Sequence, residues 1–528
     1  MISSSSASAA LLAIAGRGRV WIDGEYRAAE GGRTLPVLSP RDGKPFAEIA
    51  NASAADVDSA VAAARRCLEG GWGAASNLPQ RIAAMEALAA AIREPATLVG
   101  LTELESLDCG KPLGEAEGDI EACAGYFDYF ASIAPAALAT EPLATDDDDF
   151  VASLSKEPVG VVGCVTPWNY PLMQAVLKVA PALVAGCTVV LKPAPNASLA
   201  CVALGQLAAG AGFPAGALNV ITGGPPDTLD GGGSTGQSLI DHGGLDKLSF
   251  TGSGVAGQKM LTASAQHLRP TSLELGGKSP VVVFDDARDI MPALLDWLML
   301  GIFFTSGQVC SATSRLIVQD TLHDELVAQL KAAAAELVVG DPLAEGTQMG
   351  PLVSAAQMEK VKSAVELAEA QGATVHRGAQ PLSLGEELEG GYYVPPTILA
   401  DVALDSDAWL EEIFGPVLSV AKFSTEDEAV ALANATDYGL AAAVFSTDTA
   451  RCSSVADKLE AGVVWQNCSQ VLFTTTPFGG KQGKKSGFGH ELGEAGLHEY
   501  INTKTIVGAV DGASWEFYGE TSKPRDLG

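Results

Sequence analysis

The chain has 528 residues, 47% hydrophobic and 18% charged, which is apolar material for two or three cores rather than one. A net charge of −31 leaves no basic face for nucleic acid or an anionic membrane, so neither is expected as a partner. Nine cysteines without paired spacing read as reduced thiols in a cytosol-like compartment; with six histidines and no Cys/His cluster, no metal site is expected. The first 22 residues carry a serine run, two arginines and no acid. They fit either a flexible tail over residues 1–19 in a cytoplasmic protein, or a transit segment to a plastid or mitochondrion. From Ser53, SAAD is a capping-box pattern, and Val57, Val61, Ala64 and Leu68 recur at the spacing of an amphipathic surface helix. The run Asp146–Asp149 reads as a solvated loop. From residue 159 the short β-branched runs VGVVGCV, TVVL, LNVIT and KLSF alternate with Ala/Leu-rich stretches, predicting a parallel sheet with helices on both faces. LNVIT stops at Gly223 and Gly224, and Gly224 to Gln237 reads as a loop. A second alternating series runs from PVVVF at Pro280 to GVVWQN near residue 465, predicting a second α/β domain. Within it, Pro292 fits the first turn of a helix. Every apolar run of about 18 residues is interrupted by Pro, Asn or a charge, so no membrane span is expected.

Four stretches carry chemistry. FTGSGVAGQKM places Gly252, Gly254 and Gly257 in GxGxxG spacing between a strand and a helix, where backbone N–H groups can hold phosphate. Glu274 follows about 20 residues on, so spacing alone makes it a ribose ligand. Its setting, SLELGGKSP, equally fits a general base for thioester hydrolysis, or a strand-end glutamate facing water. In TPWNYPLMQ, Asn169 can donate a side-chain N–H to an oxyanion or be a turn residue. FTSGQVCSATSR sets Cys310 among small polar residues, in a turn open to substrate or as a core cysteine.

Together TPWNYP, LKPAP, FTGS, LELGGKSP, GQVCSATSR, EEIFGPV and PFGG followed by SGFG resemble the aldehyde dehydrogenase superfamily, from about Val20 to the C-terminal region. DCGKPL and NCSQ look most like the plant-type betaine aldehyde and aminoaldehyde dehydrogenases. The resemblance implies an α/β fold with a doubly wound cofactor domain (residues 20–144 and 166–276) and an α/β catalytic domain (277–485). It also implies a small β oligomerisation element (145–165 and 486–516), leaving 517–528 as a tail. Cys310 resembles the nucleophile that forms a thiohemiacetal and then a thioester, Asn169 the oxyanion donor and Glu274 the general base. Lys178 and Glu491 match residues thought to pass the proton onward. Lys192 matches the adenosine-ribose lysine, Trp168 a residue beside the cofactor, Gly252, Ser253 and Gly257 the phosphate turn, and Glu412 and Phe414 contacts to the nicotinamide half. The implied cofactor is NAD, the substrate a small aldehyde, and the assembly a homodimer or homotetramer.

Three departures qualify this. The position of an acid found in NAD-preferring members holds Pro195, which does not repel a 2′-phosphate, so NADP is also admitted. In the substrate pocket Tyr170 is retained, but tryptophan positions fall on Leu177, Phe304 and Phe478, and rings are what attract a cation there. Val463 holds the position that sets room for an ammonium head, and Asp119 matches an acid that attracts amino-group substrates; the lost tryptophan rings imply weakened selectivity for betaine aldehyde. Glu274 and Cys310 stand about two residues further apart than in the family, with the insertion assigned to the helix around Pro292. Semialdehyde or aliphatic aldehyde oxidation, and a Cys-dependent acyl transferase or esterase, are the alternatives. The polar turn around Cys310 is expected to keep its thiol ionisable.

Overall fold

The computed structural model describes residues 6–225, 233–379, 382 and 384–513. An eight-stranded sheet has five parallel strands in the order Thr271–Glu274, Lys247–Thr251, Val161–Val165, Thr188–Lys192 and Leu218–Val220. Its central strands are buried along nearly their whole length, and Val161–Val165 is apolar throughout. Antiparallel strands close its edges: Gly487–Phe488 on one side, and the hairpin Arg19–Ile22 with Glu25–Ala28 on the other. The chain starts this parallel series at Val161–Val165, steps outward to Leu218–Val220, then returns to the other side of its first strand. That reversal opens a crevice beyond the carboxyl ends of Val161–Val165 and Lys247–Thr251.

The second sheet has seven strands, six of them parallel, from Pro280–Val283 to Val463–Gln466. Helix Met291–Phe303 packs on it with Pro292 in its first turn, as expected. The stretch Asp285–Gly307 is apolar enough to cross a membrane by length and composition. Its one α-helical part has 13 residues, which at about 1.5 Å each is roughly 20 Å, short of a ~30 Å hydrocarbon core. Half of its most apolar 18-residue window is buried in the fold. The helix Ala54–Cys67 carries the predicted capping box, with Ser53 and Asp56 satisfying each other's backbone N–H groups.

Three boundaries differ from expectation. Residues 6–15, read as tail or transit segment, form a helix whose Leu11, Leu12 and Ala15 pack on the first core. The strand Val161–Val165, assigned to the oligomerisation element, lies at the centre of the eight-stranded sheet, because its apolar run needs cover on both faces. Gly487–Phe488, assigned likewise, is that sheet's edge strand. What remains of the element is a three-stranded antiparallel sheet of Glu141–Leu143, Phe150–Pro158 and Ile501–Ala509. Residues 514–516 of that element, the 517–528 tail, positions 1–5, and 226–232 of the predicted loop lie outside the described residues.

Candidate active site

Cys310 lies between the helix Met291–Phe303 and the strand Arg315–Gln319. The chain reaches it through Thr305, Ser306 and Gly307, all left-handed, at φ 50°, 55° and 70°. A β-branched residue such as threonine rarely adopts this conformation, so the surroundings must hold it. Glu115 Oε2 accepts from both the backbone N–H and the hydroxyl of Thr305, each at 3.0 Å. The Ser306 hydroxyl donates to the Gly350 carbonyl at 2.8 Å. Gln308 Oε1 accepts from the Val353 N–H at 3.0 Å, and the Gln308 carbonyl accepts from Asn169 Nδ2 at 2.8 Å. A Cβ at Gly307 would stand 2.1 Å from the Gly415 carbonyl oxygen, so only glycine fits. The polar residues around Cys310 therefore fasten its loop to the protein, while Cys310 itself stays half-buried at the edge of a cleft.

Glu274 ends its strand at the mouth of the crevice, 4% exposed; no N–H or O–H among the described residues reaches its carboxyl oxygens, and the Cys310 thiol is the group beside them. Burial pushes its pKa up to about 8; the nearby Glu491 adds to the rise and Lys178 opposes it. The Cys310 thiol is also pushed well above its ordinary value, first by burial and then by the Glu274 carboxylate. That direction runs against the expectation that the polar turn keeps this half-buried thiol ionisable, because desolvation and the neighbouring carboxylate both favour the neutral form. Lys178 and Glu491 form a buried ion pair, and Lys178 Nζ also donates to Thr251 Oγ1 at 2.6 Å. Gly276 and Gly277 let protein atoms approach the backbone closely. A Cβ at Gly277 would stand 2.4 Å from the Cys310 carbonyl, and one at Gly276 equally close to the Glu412 carboxylate.

Cys310, Glu274 and Asn169 share a solvent-open cleft of about 660 Å³ with Trp168, Gly252, Ser253, Glu412 and Phe414. Gln357 and Lys360 line it as well and were not singled out from the sequence. Ser253 caps the helix Gly254–His267, so the orphan N–H groups of that helix face the crevice. Glu412 accepts from the Gly277 N–H at 2.9 Å and is pushed up to about 7 by burial. Phe414, left-handed at φ 61°, meets Trp168 edge-on with ring centroids 5.3 Å apart. Gly257 stands apart from the cleft: a Cβ there would meet the Leu275 side chain at 2.8 Å, so it serves helix–strand packing. Lys192 ends its strand buried, and burial lowers its pKa to about 8. Its ammonium donates to the Pro193 carbonyl at 3.0 Å and forms no ion pair among the described residues.

None of the residues matched to a substrate pocket lines that cleft. Leu177 and Phe478 are buried in the first core, with Cys310 and Val463 packed against it. Phe304 opens the left-handed turn, and the Tyr170 hydroxyl meets Thr305 Oγ1 at 3.2 Å. Asp119 differs from expectation: it is buried and ion-paired with Lys111, whose Nζ lies 3.8 Å from the Tyr170 ring centroid. Glu105 stands 3.8 Å from the same ammonium. The sequence showed Lys111 within DCGKPL, but pairing across one turn of chain and helix had no signal of its own. Glu115, two positions into the same helix, was missed for the same reason.

The aldehyde dehydrogenase family model matches residues 26–506. The chain is 43% identical over 506 residues to an Arabidopsis thaliana protein named as a chloroplastic aminoaldehyde dehydrogenase, covering 95% of this chain and 98% of that one. It is 42% identical over 505 residues to a chloroplastic betaine aldehyde dehydrogenase of Beta vulgaris, with the same coverage. A crystal structure of betaine aldehyde dehydrogenase from Staphylococcus aureus in complex with NAD+ superposes with a TM-score of 0.90 at 34% identity, over 98% of this chain and 99% of that one.

Proposed function

Because this chain belongs to the aldehyde dehydrogenase family, we propose that it oxidises amino- or ammonium-bearing aldehydes to their acids, with Cys310 as nucleophile. NAD is the proposed cofactor and NADP the second choice. The observation that carries the reading is one cleft holding a thiol, an amide donor and a buried carboxyl with no N–H or O–H partner among the described residues. The residues present fit a dinucleotide: Lys192 is a buried amine without an acid partner, suited to ribose hydroxyls, and the helix start at Ser253 and Gly254 suits phosphate. Glu412 and Phe414 would hold its other half. Bound there, the dinucleotide supplies the hydride acceptor.

Cys310 sulfur bonds to the aldehyde carbon, and its proton passes to ionised Glu274, the carboxylate beside it. One N–H of Asn169 is engaged with Gln308, which fixes the amide and leaves the second to stabilise the oxyanion. Hydride loss converts the thiohemiacetal to a thioester. Lys178 and Glu491 carry the thiol's proton away, leaving Glu274 ionised again. It then takes a proton from water, whose hydroxide displaces the Cys310 thiolate to give the acid, and the proton passes from Glu274 back to the sulfur. We further propose a homodimer or homotetramer built on the three-stranded sheet, where Val151, Ile506 and Val507 are exposed apolar side chains. All nine cysteines are free, which supports a reducing compartment, cytosol or plastid.

The Asp119–Lys111 ion pair favours a second reading, in which an uncharged aldehyde is preferred, because the acid is already neutralised. The test is formation of reduced nicotinamide from betaine aldehyde, aminopropionaldehyde and an uncharged aliphatic aldehyde, with each cofactor. A preference for the two cationic substrates supports the first reading. Equal or faster oxidation of the uncharged one replaces it with the second.

A further inference from the structure

The Thr305–Gly307 turn holds the chain left-handed just before Cys310, and one oxygen atom carries its first residue. Glu115 Oε2, on the helix Leu113–Ala137, accepts both the Thr305 N–H and the Thr305 hydroxyl. The same hydroxyl meets the Tyr170 phenol at 3.2 Å. We propose that Glu115 is a positioning residue that sets the Cys310 thiol and the Tyr170 ring in register with each other. This rests on Cys310 being the nucleophile. Thr305 stands 190 positions after Glu115 in the chain, so the contact ties two otherwise separate walls of the site. Without an acceptor there, the buried Thr305 N–H is unpaired, and a left-handed β-branched residue relaxes towards ordinary conformations. The thiol then loses the orientation needed to meet a carbonyl carbon held by Asn169 on one side and Tyr170 on the other.

The role belongs to the acceptor oxygen rather than to negative charge. Lys111, the nearest cation, is already paired with Asp119 and faced by Glu105. Glutamine offers an oxygen on the same stem and can accept both bonds; alanine offers none.

The experiment compares wild type, Glu115→Gln and Glu115→Ala as full-length proteins. It measures kcat and KM for an oxidised aldehyde, NAD affinity, and alkylation of Cys310 by iodoacetamide without cofactor, read on the Cys310 peptide with Cys67 as internal control. Glu115→Ala is expected to lower kcat by about 10- to 100-fold, as small misplacements of reacting groups do, with NAD affinity within about twofold. Its Cys310 alkylation rate should change while that of Cys67 does not. Glu115→Gln should stay within about threefold of wild type. An alanine variant with unchanged kcat and Cys310 alkylation, or a glutamine variant as impaired as alanine, overturns the proposal. If Glu115→Ala does not fold, Thr305→Val keeps the N–H bond and removes the hydroxyl; it should lower kcat by at least about threefold, and an unchanged kcat overturns the proposal. Should no aldehyde be oxidised by wild type, the nucleophile reading fails, and the alkylation contrast still decides the loop.

Discussion

Replacing Glu274 with glutamine should stabilise the protein near neutral pH and stall it chemically. The carboxyl is buried without an N–H or O–H partner among the described residues, and its pKa rises from 4.5 to about 8. The folded chain keeps this proton after the unfolded chain has lost it, so raising the pH from 4.5 towards 8 favours unfolding. At about 1.36 kcal/mol per pH unit the cost is roughly 1 kcal/mol at pH 5 and 3 kcal/mol at pH 7. Glutamine carries no such proton. Its own desolvation cost is the same at both pH values and cancels in the difference. Glu274→Gln should therefore gain about 2–3 kcal/mol more, relative to wild type, at pH 7 than at pH 5. With an unfolding entropy near 2.1 cal/mol/K per residue, that is about 2–3 °C in Tm for a chain of this length. The assay is thermal unfolding of both proteins at the two pH values, with a rapid-mixing experiment alongside. The variant should release one burst of reduced cofactor and then turn over slowly. In wild type, deacylation should rise with pH up to about 8 and then level, because the base acts ionised. The same Tm difference at both pH values would mean that the carboxyl is not held protonated by the fold, and undiminished steady turnover would mean it is not the base.

Two other substitutions have defined outcomes. Cys310→Ala should abolish reduced-cofactor formation and any ester hydrolysis, with NAD binding kept within about twofold in a titration, because the dinucleotide contacts lie on other side chains. Pro195→Glu, three positions after Lys192, should raise KM for NADP by at least about tenfold while leaving NAD nearly unchanged, because a carboxylate repels a 2′-phosphate; equal effects on both cofactors would place residue 195 away from the ribose.

The parallel sheets were legible because short apolar or β-branched runs, such as those in Val161–Val165 and Thr188–Lys192, alternate with Ala/Leu-rich helical stretches; Lys247–Thr251 is buried just as fully although Lys247, Ser249 and Thr251 are polar. The glycine turn could be read for the same kind of reason: a strand, a small loop and a capped helix leave a mark in sequence. The state of the thiol could not be read. Ser306, Gln308 and Ser311 look like solvent-facing residues, yet each is tied to protein atoms brought from elsewhere, Gly350, Val353 and Gln470. The substrate acid failed similarly: Asp119 is acidic in the sequence and neutralised in the fold by Lys111. Domain edges were blurred where strands of only two or four residues, such as Gly487–Phe488 and Thr271–Glu274, join a sheet. Such short pairings have no periodicity to detect.

The pairing of Gly487 with Glu274 also sets an order of events during synthesis. The sheet edge beside Glu274, and the Lys178–Glu491 pair behind it, remain open until residues near the end of the chain have emerged. The roughly 180 residues from Cys310 to Glu491 take about 9–36 s to add at 5–20 residues per second. Throughout that interval a thiol loop already translated lacks Glu491, the acid that pairs with Lys178. The site is thus completed only at the close of translation, and a chain cut before residue 487 would carry Cys310 and Glu274 without the edge strand beside Glu274 or the acid partner of Lys178.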